Sequence, residues 1–565
     1  MYGQKEDIPL VHSTSGESGA SFSLPWKNLA HFIDEQSERF STKPFLIYTD
    51  EDVGLRRELS YRDFNRLVNR TANFMKDTLG LGPGQRVATV MVNHCTTVIV
   101  YFAAWKLGLA VVPIDAEDRI GRKRYVLEHS ESRAVFCMKE YLEEIISIKK
   151  GCHALKYIVS AEEVVREGVY NLEQEINKKE DGLSPPISEL QDDAFIVYTS
   201  GTTGPPKGVV LSQYNLLADA DGIVHWFGFK EADRLMCILP IHHVNGTVVT
   251  LLTPYYFGGT SVLRRRFKCT TFWKGLSVDK VRAVSVVPTV LEFLLEAGED
   301  ISHYDLSNFE CVICGAGPLT VDTALRFEDK FKFPIIHGYG LSETTCYSCF
   351  LPVDMSDEER RHWLSAFGFP SIGVPITHNE MTILDKDGKE VDELKRGEIA
   401  IRGRNVAREY FKMPEANEKA YRWGWFLSGD EGFYKLDERG RKFFFITGRL
   451  KELIVRGGQN ISPLEVDNVL KGHPKLKFGI AVAFQNKYYG EEVAAYVVPR
   501  DGVELKEEEV LSYCRTRMPF RMMPKAVIIG REVPFTSTGK PKRLELQEKL
   551  RPLLLRWKDV QFRQG

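Results

Sequence analysis

A loop rich in glycine and hydroxyl side chains follows a short apolar segment, residues 194–198, and this pair of features constrains the architecture most strongly. The apolar segment is typical of a buried strand. Glycine permits positive φ and close approach, so backbone N–H groups and hydroxyls can surround phosphate oxygens. The loop is not a Walker A sequence, because Gly208 rather than Ser or Thr follows Lys207. A flexible surface turn is the alternative interpretation. The residues of the predicted nucleotide phosphate-binding loop are Thr199, Ser200, Gly201, Thr202, Thr203, Gly204 and Lys207.

Length and composition exclude several classes of protein. A chain of 565 residues exceeds what one hydrophobic core usually serves, so we expect at least two domains. The net charge of −2 argues against a general binder of nucleic acid. No apolar run is long enough to predict a membrane span. The polar N-terminus does not resemble a secretory signal, and the last three residues are not a peroxisomal signal, so we expect a cytoplasmic protein.

Strands and helices alternate along the first part of the chain, which predicts an α/β fold with parallel sheets. Ser60 is placed to cap a helix that Gly80 and Gly82 end. Strands are predicted at residues 86–92, 110–114 and 134–137, and helices at 96–107 and 121–130. Residues 173–192 are predicted to form a connector.

A domain boundary is predicted near residue 451. Beyond it, Ser462 offers a helix N-cap, Pro463 suits the first helical position, and Glu465 completes a capping box. We therefore expect a loosely ordered lead-in at 1–25, a large N-terminal domain with mixed and parallel sheets at 26–450, and a small, mobile C-terminal α/β domain at 451–565. In the small domain, strands are predicted at 478–484, 493–498 and 526–529, and a helix at 506–518.

Two cysteine pairs have the spacing of metal ligands, Cys311 with Cys314 and Cys346 with Cys349. Zinc knuckles normally lie closer together in the sequence and on turns, whereas Cys311 and Cys314 flank an apolar dipeptide typical of a strand. Small buried thiols in the hydrophobic core are therefore favoured over a zinc site.

A family resemblance rests on several further motifs that occur in a fixed order. They are LPIHHVNG at 239–246, GAGP at 315–318, GYGLSE at 338–343, SGD at 428–430, GRLKE at 448–452, GG at 457–458 and PFTSTGK at 534–540. With these motifs and the loop after residue 198, the chain resembles the adenylate-forming superfamily over residues 26–551. That superfamily holds acyl-CoA synthetases, aryl-CoA ligases, peptide-synthetase adenylation domains and beetle luciferases.

The resemblance implies a site for ATP and Mg²⁺. Glu343 would hold Mg²⁺, which suits a single carboxylate combined with phosphate oxygens. Asp430 would accept hydrogen bonds from the ribose hydroxyls, and Arg449 would contact the same sugar. The residues implied to surround the adenine and the α-phosphate are Gly315, Ala316, Gly317, Tyr339, Gly340 and Ser342.

The resemblance also implies residues that act on the acid. Lys540 matches the catalytic lysine, whose point charge would bridge the attacking carboxylate and the α-phosphate. His243 matches a histidine that faces the acyl substrate, although His242 stands where most relatives have an aromatic residue. The absence of Asp from residues 239–250 disfavours an α-amino acid. The residues expected to form an apolar wall for a hydrocarbon chain are Val244, Val248, Val249, Leu251 and Leu252.

The second half-reaction is implied by residues near the domain boundary. Lys451 matches the hinge about which the small domain rotates, and Gly457 with Gly458 would line the tunnel for the pantetheine of coenzyme A. Val455 departs from the lysine of many relatives, and residues 355–363 form a charged, helix-like insert.

The expected activity is ATP-dependent conversion of a carboxylic acid, fatty or otherwise hydrophobic, to acyl-AMP and then to acyl-CoA. The first alternative is an acyl-AMP ligase that loads a separate carrier protein. A luciferase-like oxygenase is a second alternative, based on the His242–His243 pair. A non-catalytic binding module is disfavoured because Glu343, Asp430, Arg449 and Lys540 all occur.

Overall fold

The computed structural model describes residues 11–12, 23–199, 205–536 and 541–563. The strands are β1 (Pro44–Asp50), β2 (Leu55–Ser60), β3 (Arg86–Val90), β4 (Ala110–Ile114), β5 (Ala134–Cys137), β6 (Tyr157–Ser160), β7 (Val169–Asn171), β8 (Asp193–Thr199), β9 (Lys207–Ser212), β10 (Arg234–Cys237), β11 (Thr260–Arg264), β12 (Ala283–Val286), β13 (Cys311–Cys314), β14 (Ile335–Tyr339), β15 (Cys349–Phe350), β16 (Val374–Pro375), β17 (Asn379–Leu384), β18 (Gly397–Gly403), β19 (Glu409–Tyr410), β20 (Tyr421–Arg422), β21 (Trp425–Leu436), β22 (Lys442–Arg449), β23 (Ile454–Arg456), β24 (Gln459–Ile461), β25 (Leu476–Asn486), β26 (Gly490–Pro499) and β27 (Ala526–Ile529).

The α-helices are α1 (Leu29–Arg39), α2 (Tyr61–Asn73), α3 (Cys95–Lys106), α4 (Ile120–His129), α5 (Leu142–Lys149), α6 (Leu172–Ile176), α7 (Gln213–Phe227), α8 (Thr253–Phe257), α9 (Cys269–Val278), α10 (Pro288–Ala297), α11 (Val321–Phe331), α12 (Asp357–Ser365), α13 (Pro414–Ala420), α14 (Pro463–Lys471), α15 (Glu507–Arg515) and α16 (Arg543–Leu554). Two π-helical segments occur at Phe74–Thr78 and Asn245–Leu252, and four 3₁₀ turns at Lys139–Tyr141, Ser342–Thr344, Leu450–Glu452 and Leu555–Trp557.

Two large, mostly parallel sheets form the body of the N-terminal domain. One has eight strands in the order β19-β9-β8-β4-β3-β5-β6-β7, and the other has nine in the order β16-β15-β14-β13-β12-β10-β11-β1-β2. Their central strands are buried on both faces, as parallel strands covered by helices are. The mixed and parallel α/β architecture predicted from the alternation is confirmed.

Two smaller sheets complete the fold. A five-stranded antiparallel sheet in the large domain has the order β17-β18-β21-β20, with β22 paired to β21. The small C-terminal domain has the order β24-β23-β26-β25, with β27 parallel to β26. Its core cluster includes Ile454, Val466 and Val497 and is separate from the cores of the large domain.

Most local predictions agree with the observed elements. Strands β4, β5 and β27 have the predicted bounds, and β8 extends the predicted strand by one residue at each end. The Ser60 hydroxyl accepts a hydrogen bond from the Asp63 amide at 3.1 Å, so it caps α2 as expected. The predicted connector at 173–192 includes most of the short helix α6.

Two local predictions are wrong in part. Val11, within the predicted loose lead-in, is fully buried, and the His12 ring contacts the Val406 carbonyl oxygen at 3.2 Å, so this piece packs on the large domain. Ser462 precedes α14 as predicted but makes no capping hydrogen bond. Its buried hydroxyl donates instead to the Thr447 carbonyl oxygen of β22, and Glu465 pairs with Arg396. The contact with β22 therefore replaces the cap.

The charged insert after residue 354 is a helix that packs on the large domain. Ser356 and Glu359 form a capping box at the start of α12. Trp363 stacks on Phe443 with ring centroids 3.8 Å apart, and Arg360 pairs with Glu328 at 2.8 Å. These contacts give the insert a structural role.

The four cysteines of the two pairs lie buried in the core. Burial raises the pKa of the Cys311 thiol to about 12 and the pKa values of the other three still further. These groups are therefore neutral thiols, which supports the core interpretation. Within the parts of the chain that the structure describes, no helix is long and apolar enough to cross a membrane.

Candidate active site

Two connected cavities lie at the ends of β4, β8 and β14 and beneath the small domain. Their volumes are about 980 Å³ and about 720 Å³. Ala316, Gly340, Arg449 and Lys451 line both cavities, so the two form one continuous site. Such a position, outside the carboxyl ends of parallel strands, is where α/β sheets bind ligands.

Two residues of the phosphate-binding loop predicted from the sequence, Thr199 and Lys207, lie at the larger cavity. Thr199 ends β8 and Lys207 begins β9, and the two residues are partners in the antiparallel ladder. Both line the larger cavity. The Lys207 ammonium lies 4.4 Å from the centre of the Tyr410 ring, a cation–π contact. The predicted residues Ser200, Gly201, Thr202, Thr203 and Gly204 lie outside the described residues.

Glu343 lies opposite Lys207 in the same cavity, with Tyr410 between them. It sits in the 3₁₀ turn that follows β14, and the Tyr410 hydroxyl donates to its Oε1 at 2.9 Å. The Ala407 amide donates to the Glu343 backbone carbonyl at 2.7 Å, which anchors the turn. Ser342, in the same turn, also lines this cavity. A cation and a carboxylate thus share one aromatic neighbour.

Tyr339, Asp430 and Arg449 form a hydrogen-bonded cluster in the smaller cavity. Asp430 on β21 and Arg449 on β22 are register partners, with Arg449 Nε 3.2 Å from Asp430 Oδ1. The Tyr339 hydroxyl donates to Asp430 Oδ2 at 2.7 Å. Asp430 is only 4% exposed, and its charge raises the pKa of Arg449. The fold therefore brings Tyr339 into contact with Asp430, more than 90 positions away in the sequence. The Asp430 carboxylate is a hydrogen-bond acceptor with the Arg449 cation beside it.

The glycine-rich segment at 315–317 faces this cluster only in part. Ala316 and Gly317 line the smaller cavity together with Tyr339, whereas Gly315 does not. A Cβ atom added at Gly315 would lie 2.5 Å from the Tyr347 hydroxyl oxygen and 2.9 Å from the Gly338 carbonyl. Gly315 is therefore needed for close packing behind the site rather than for its lining.

The histidine pair lies at the far end of the larger cavity. The His242 and His243 rings are 4.4 Å apart, and His242 Nε2 lies 3.5 Å from Asp115 Oδ2. Asp118 and Arg122, which pair at 2.8 Å, line the same region. Burial raises the pKa of Asp118. This region is polar and charged.

The predicted apolar wall is wrong for four of its five members. Val244 lines the cavity, but Val248, Val249, Leu251 and Leu252 are buried in the main hydrophobic core. They lie in the π-helical segment Asn245–Leu252, every residue of which is buried. Sequence order placed these residues next to His243, but the helix turns their side chains into the protein.

The small domain contributes residues close to the boundary. Lys451, in the 3₁₀ turn at the boundary, lines both cavities, and burial with the nearby Arg449 lowers its pKa. Thr536 and Pro541, on either side of an undescribed segment, also line the site. Lys540 itself lies outside the described residues.

Gly457 and Gly458 are not brought to the cavities. They form the exposed two-residue turn between β23 and β24, with φ values of 56° and 80°. Positive φ at both central residues is the requirement of a type I′ hairpin, which explains the two glycines locally. The Gly457 amide donates to the Tyr489 carbonyl at 2.8 Å.

Several cavity residues were not identified as site residues from the sequence. Tyr410 joins Lys207 to Glu343 from a two-residue strand, and Asp115 reaches His242 from the end of β4. Asn245 and Tyr347 line the larger cavity and are hydrogen-bonded to each other at 3.2 Å. Of these residues, Asp115 had a sequence signal, because it is a polar residue directly after the buried strand β4.

Comparison with known proteins identifies the family. The chain matches the model of the AMP-binding enzyme family over residues 33–411 and that of the AMP-binding enzyme C-terminal domain over residues 465–540. It is 30% identical to the sulfoacetate–CoA ligase of Cupriavidus necator, over 92% of this chain and 97% of that protein. It is 29% identical to the oxalate–CoA ligase of Arabidopsis thaliana, over 86% and 92% of the two chains.

A solved structure shares the fold. The anthranilate CoA ligase AuaEII in complex with anthranoyl-AMP superimposes with a TM-score of 0.83 at 23% identity, over 93% of this chain and 98% of that one. The first family model alone covers more than half of the chain. The protein therefore belongs to the AMP-binding enzyme family and, within it, to the AMP-forming acid–CoA ligases.

Proposed function

We propose that this protein joins a carboxylic acid to AMP, releasing pyrophosphate, and then transfers the acyl group to the thiol of coenzyme A. A carboxylate is a poor electrophile, and acyl-AMP converts it to a mixed anhydride with a good leaving group. The observation that carries the proposal is the pair of connected cavities, of which the larger holds Lys207 and Glu343 and the smaller holds the Tyr339–Asp430–Arg449 cluster. A nucleotide needs such an arrangement of an anionic acceptor for its sugar and cations for its phosphates.

Each part of the nucleotide has a proposed partner. Asp430 accepts from the ribose hydroxyls, Arg449 holds that carboxylate and the sugar, and Tyr339 packs on the adenine opposite Ala316 and Gly317. Lys207, at the end of the phosphate loop, faces the β- and γ-phosphates. Charge-assisted hydrogen bonds of this kind are the strong ones in a partly buried site.

Glu343 fits a magnesium ion bound jointly with the nucleotide. No group of three or more acidic, histidine or cysteine side chains suited to a metal occurs in the described parts of the chain. Magnesium is commonly bound by one or two carboxylates plus substrate phosphates, and Glu343 offers one such carboxylate beside the phosphate loop. Bound there, Mg²⁺ would neutralise phosphate charge as pyrophosphate leaves.

Lys540 is the proposed cation that brings the two anions together. Phe535 and Pro541 pair across the segment that contains it, and Thr536 and Pro541 line the cavity. Lys451 is the proposed hinge between a domain at 26–450 and one at 451–565. The hairpin of Gly457 and Gly458 would reach the acid only after a rotation, and this is the proposed position for pantetheine.

The relatives do not identify the acid, because their names give three different ones: sulfoacetate, oxalate and anthranilate. The hydrocarbon acid expected from the sequence has less support, because four of the five apolar residues that favoured it lie in the core. A carrier protein in place of coenzyme A remains the second candidate, since the exposed hairpin could face either thiol.

The deciding experiment measures pyrophosphate release from ATP with a panel of acids, and then AMP release on addition of either coenzyme A or a phosphopantetheinylated carrier protein. We expect acid-dependent pyrophosphate release and thioester formation with coenzyme A. Acyl transfer to the carrier protein but not to coenzyme A would make the carrier protein the acceptor of the second half-reaction. Light emission with luciferin and oxygen, without thioester formation, would favour an oxygenase instead.

A further inference from the structure

Asn245 and Tyr347 line the larger cavity with His243, and Ser285 is hydrogen-bonded to Asn245. The Ser285 hydroxyl donates to Asn245 Oδ1 at 2.7 Å, and Asn245 Nδ2 donates to the Tyr347 hydroxyl at 3.2 Å. Ser285 is also hydrogen-bonded to Tyr347. Tyr347 and Ser285 are each 1% exposed. Asn245 and Tyr347 line the cavity, whereas Ser285 lies behind them.

Tyr347 makes further contacts through its ring and its backbone. Its ring packs on Phe350 with centroids 4.3 Å apart, and its backbone carbonyl accepts from Asn405 Nδ2 at 2.9 Å. Asn405 is itself fully buried and donates to Asp219 at 2.7 Å. These hydrogen bonds restrain Tyr347, because moving it would leave the buried Asn245 and Asn405 amides without this partner.

Tyr347 packs closely against the backbone of Gly315. A single methyl group at Gly315 would lie 2.5 Å from the Tyr347 hydroxyl oxygen. Next to Asn245 in the sequence, a methyl group at Gly246 would lie 2.6 Å from the Pro240 carbonyl oxygen. Carbon atoms need about 3.5–4 Å to a neighbour, so an acid cannot extend past Tyr347 without displacing it.

We propose that Tyr347, fixed by Asn245 and Ser285, sets the length of the acid and restricts this protein to short acids. This inference rests on the proposed function, because it takes the end of the cavity beside His243 as the place of the acid. An alkyl chain that reached the floor would also meet polar groups already bonded to one another, and it would gain no apolar contact there. Tyr347 is therefore a specificity-determining residue.

The test compares chain-length profiles of four proteins. Acid-dependent pyrophosphate release is measured with acetate, propionate, butyrate, octanoate and dodecanoate, and with oxalate and benzoate. The proteins are the wild type, Tyr347→Ala, Tyr347→Phe and Val249→Ala. Tyr347→Phe keeps the ring and loses the hydroxyl, and Val249→Ala removes buried volume from the π-helical segment that begins at Asn245 without lining the cavity.

We expect the wild type to prefer the short acids. Tyr347→Ala should raise the octanoate-to-propionate ratio of kcat/KM at least ~10-fold, since each accommodated methylene is worth about 10–200-fold in an apolar pocket. Tyr347→Phe and Val249→Ala should keep the wild-type ratio. If Tyr347→Ala is unfolded by circular dichroism, Tyr347→Leu provides the smaller side chain.

The outcomes separate the two proposals. A wild-type preference for octanoate or dodecanoate, or an unchanged ratio in a folded Tyr347→Ala, overturns the length limit while leaving acid activation intact. A wild type that releases pyrophosphate with none of these acids contradicts the length limit, whereas a lack of release with every acid of the wider panel contradicts acid activation itself.

Discussion

The proposed ribose contact of Asp430 can be tested quantitatively by Asp430→Ala. In the structure its carboxylate accepts from the Tyr339 hydroxyl at 2.7 Å and pairs with Arg449 at 3.2 Å. The substitution removes the acceptor proposed for the ribose hydroxyls. It also leaves the buried Tyr339 hydroxyl without this partner, so effects on binding and on stability must be measured separately.

The expected magnitudes follow from the two losses. A hydrogen bond to a charged group contributes about 1.5–3 kcal/mol, and about 1.4 kcal/mol corresponds to tenfold in affinity, so ATP should bind about 10- to 150-fold more weakly. The unsatisfied Tyr339 hydroxyl should lower the free energy of unfolding by about 1–3 kcal/mol. Arg449 adds little to this cost, because its side chain is 37% exposed and water can solvate it.

Isothermal titration with a non-hydrolysable ATP analogue measures the affinity, and urea unfolding measures the stability. The control is Tyr339→Phe, which removes the donor but keeps the carboxylate and should retain most of the affinity for the analogue. The ratio of kcat/KM for two acids should be the same in all three proteins. Unchanged nucleotide affinity in Asp430→Ala, together with an altered acid preference, would refute this assignment of the cavity.

Three further predictions concern other parts of the molecule. Lys540→Ala should slow acyl-AMP formation by about 10²–10³-fold and largely spare thioester formation from supplied acyl-AMP; equal damage to both steps would argue against its role. Lys451→Pro fixes φ near −65° and should suppress acyl-CoA formation far more than ATP–pyrophosphate exchange, unless the hinge lies elsewhere. Burial raises the pKa of Asp219 to about 8, far above its ordinary value. Between about pH 4 and about pH 8 the native state therefore keeps a proton that the unfolded chain has lost. The stability that this carboxyl contributes at low pH is therefore lost as the pH rises. The Tm of Asp219→Asn should rise relative to that of the wild type between about pH 5 and about pH 8. A difference in Tm that stays constant with pH would contradict this.

Features set by neighbouring residues could be predicted from the sequence. The bounds of β4 and β5, the Ser60 cap of α2 and the α/β alternation depend on local apolar patterns and on side chains three or four positions away. The ordered motifs also indicated which segments would share a site, and the structure places Tyr339, Asp430 and Arg449 in contact. The two glycines at 457–458 likewise have a local explanation in their hairpin turn.

The shape of the acid end was decided by tertiary structure alone. Sequence order suggested an apolar wall from Val244 to Leu252, but the helix turns four of those side chains into the core. The floor consists of Asn245, Ser285 and Tyr347, which come from three separate segments. Likewise, Ser462 gives up its helix cap for a carbonyl of β22. A side chain bonds to whichever polar group packing brings nearest, and for residues distant in sequence that partner is set by the folding of the whole chain, not by the local pattern.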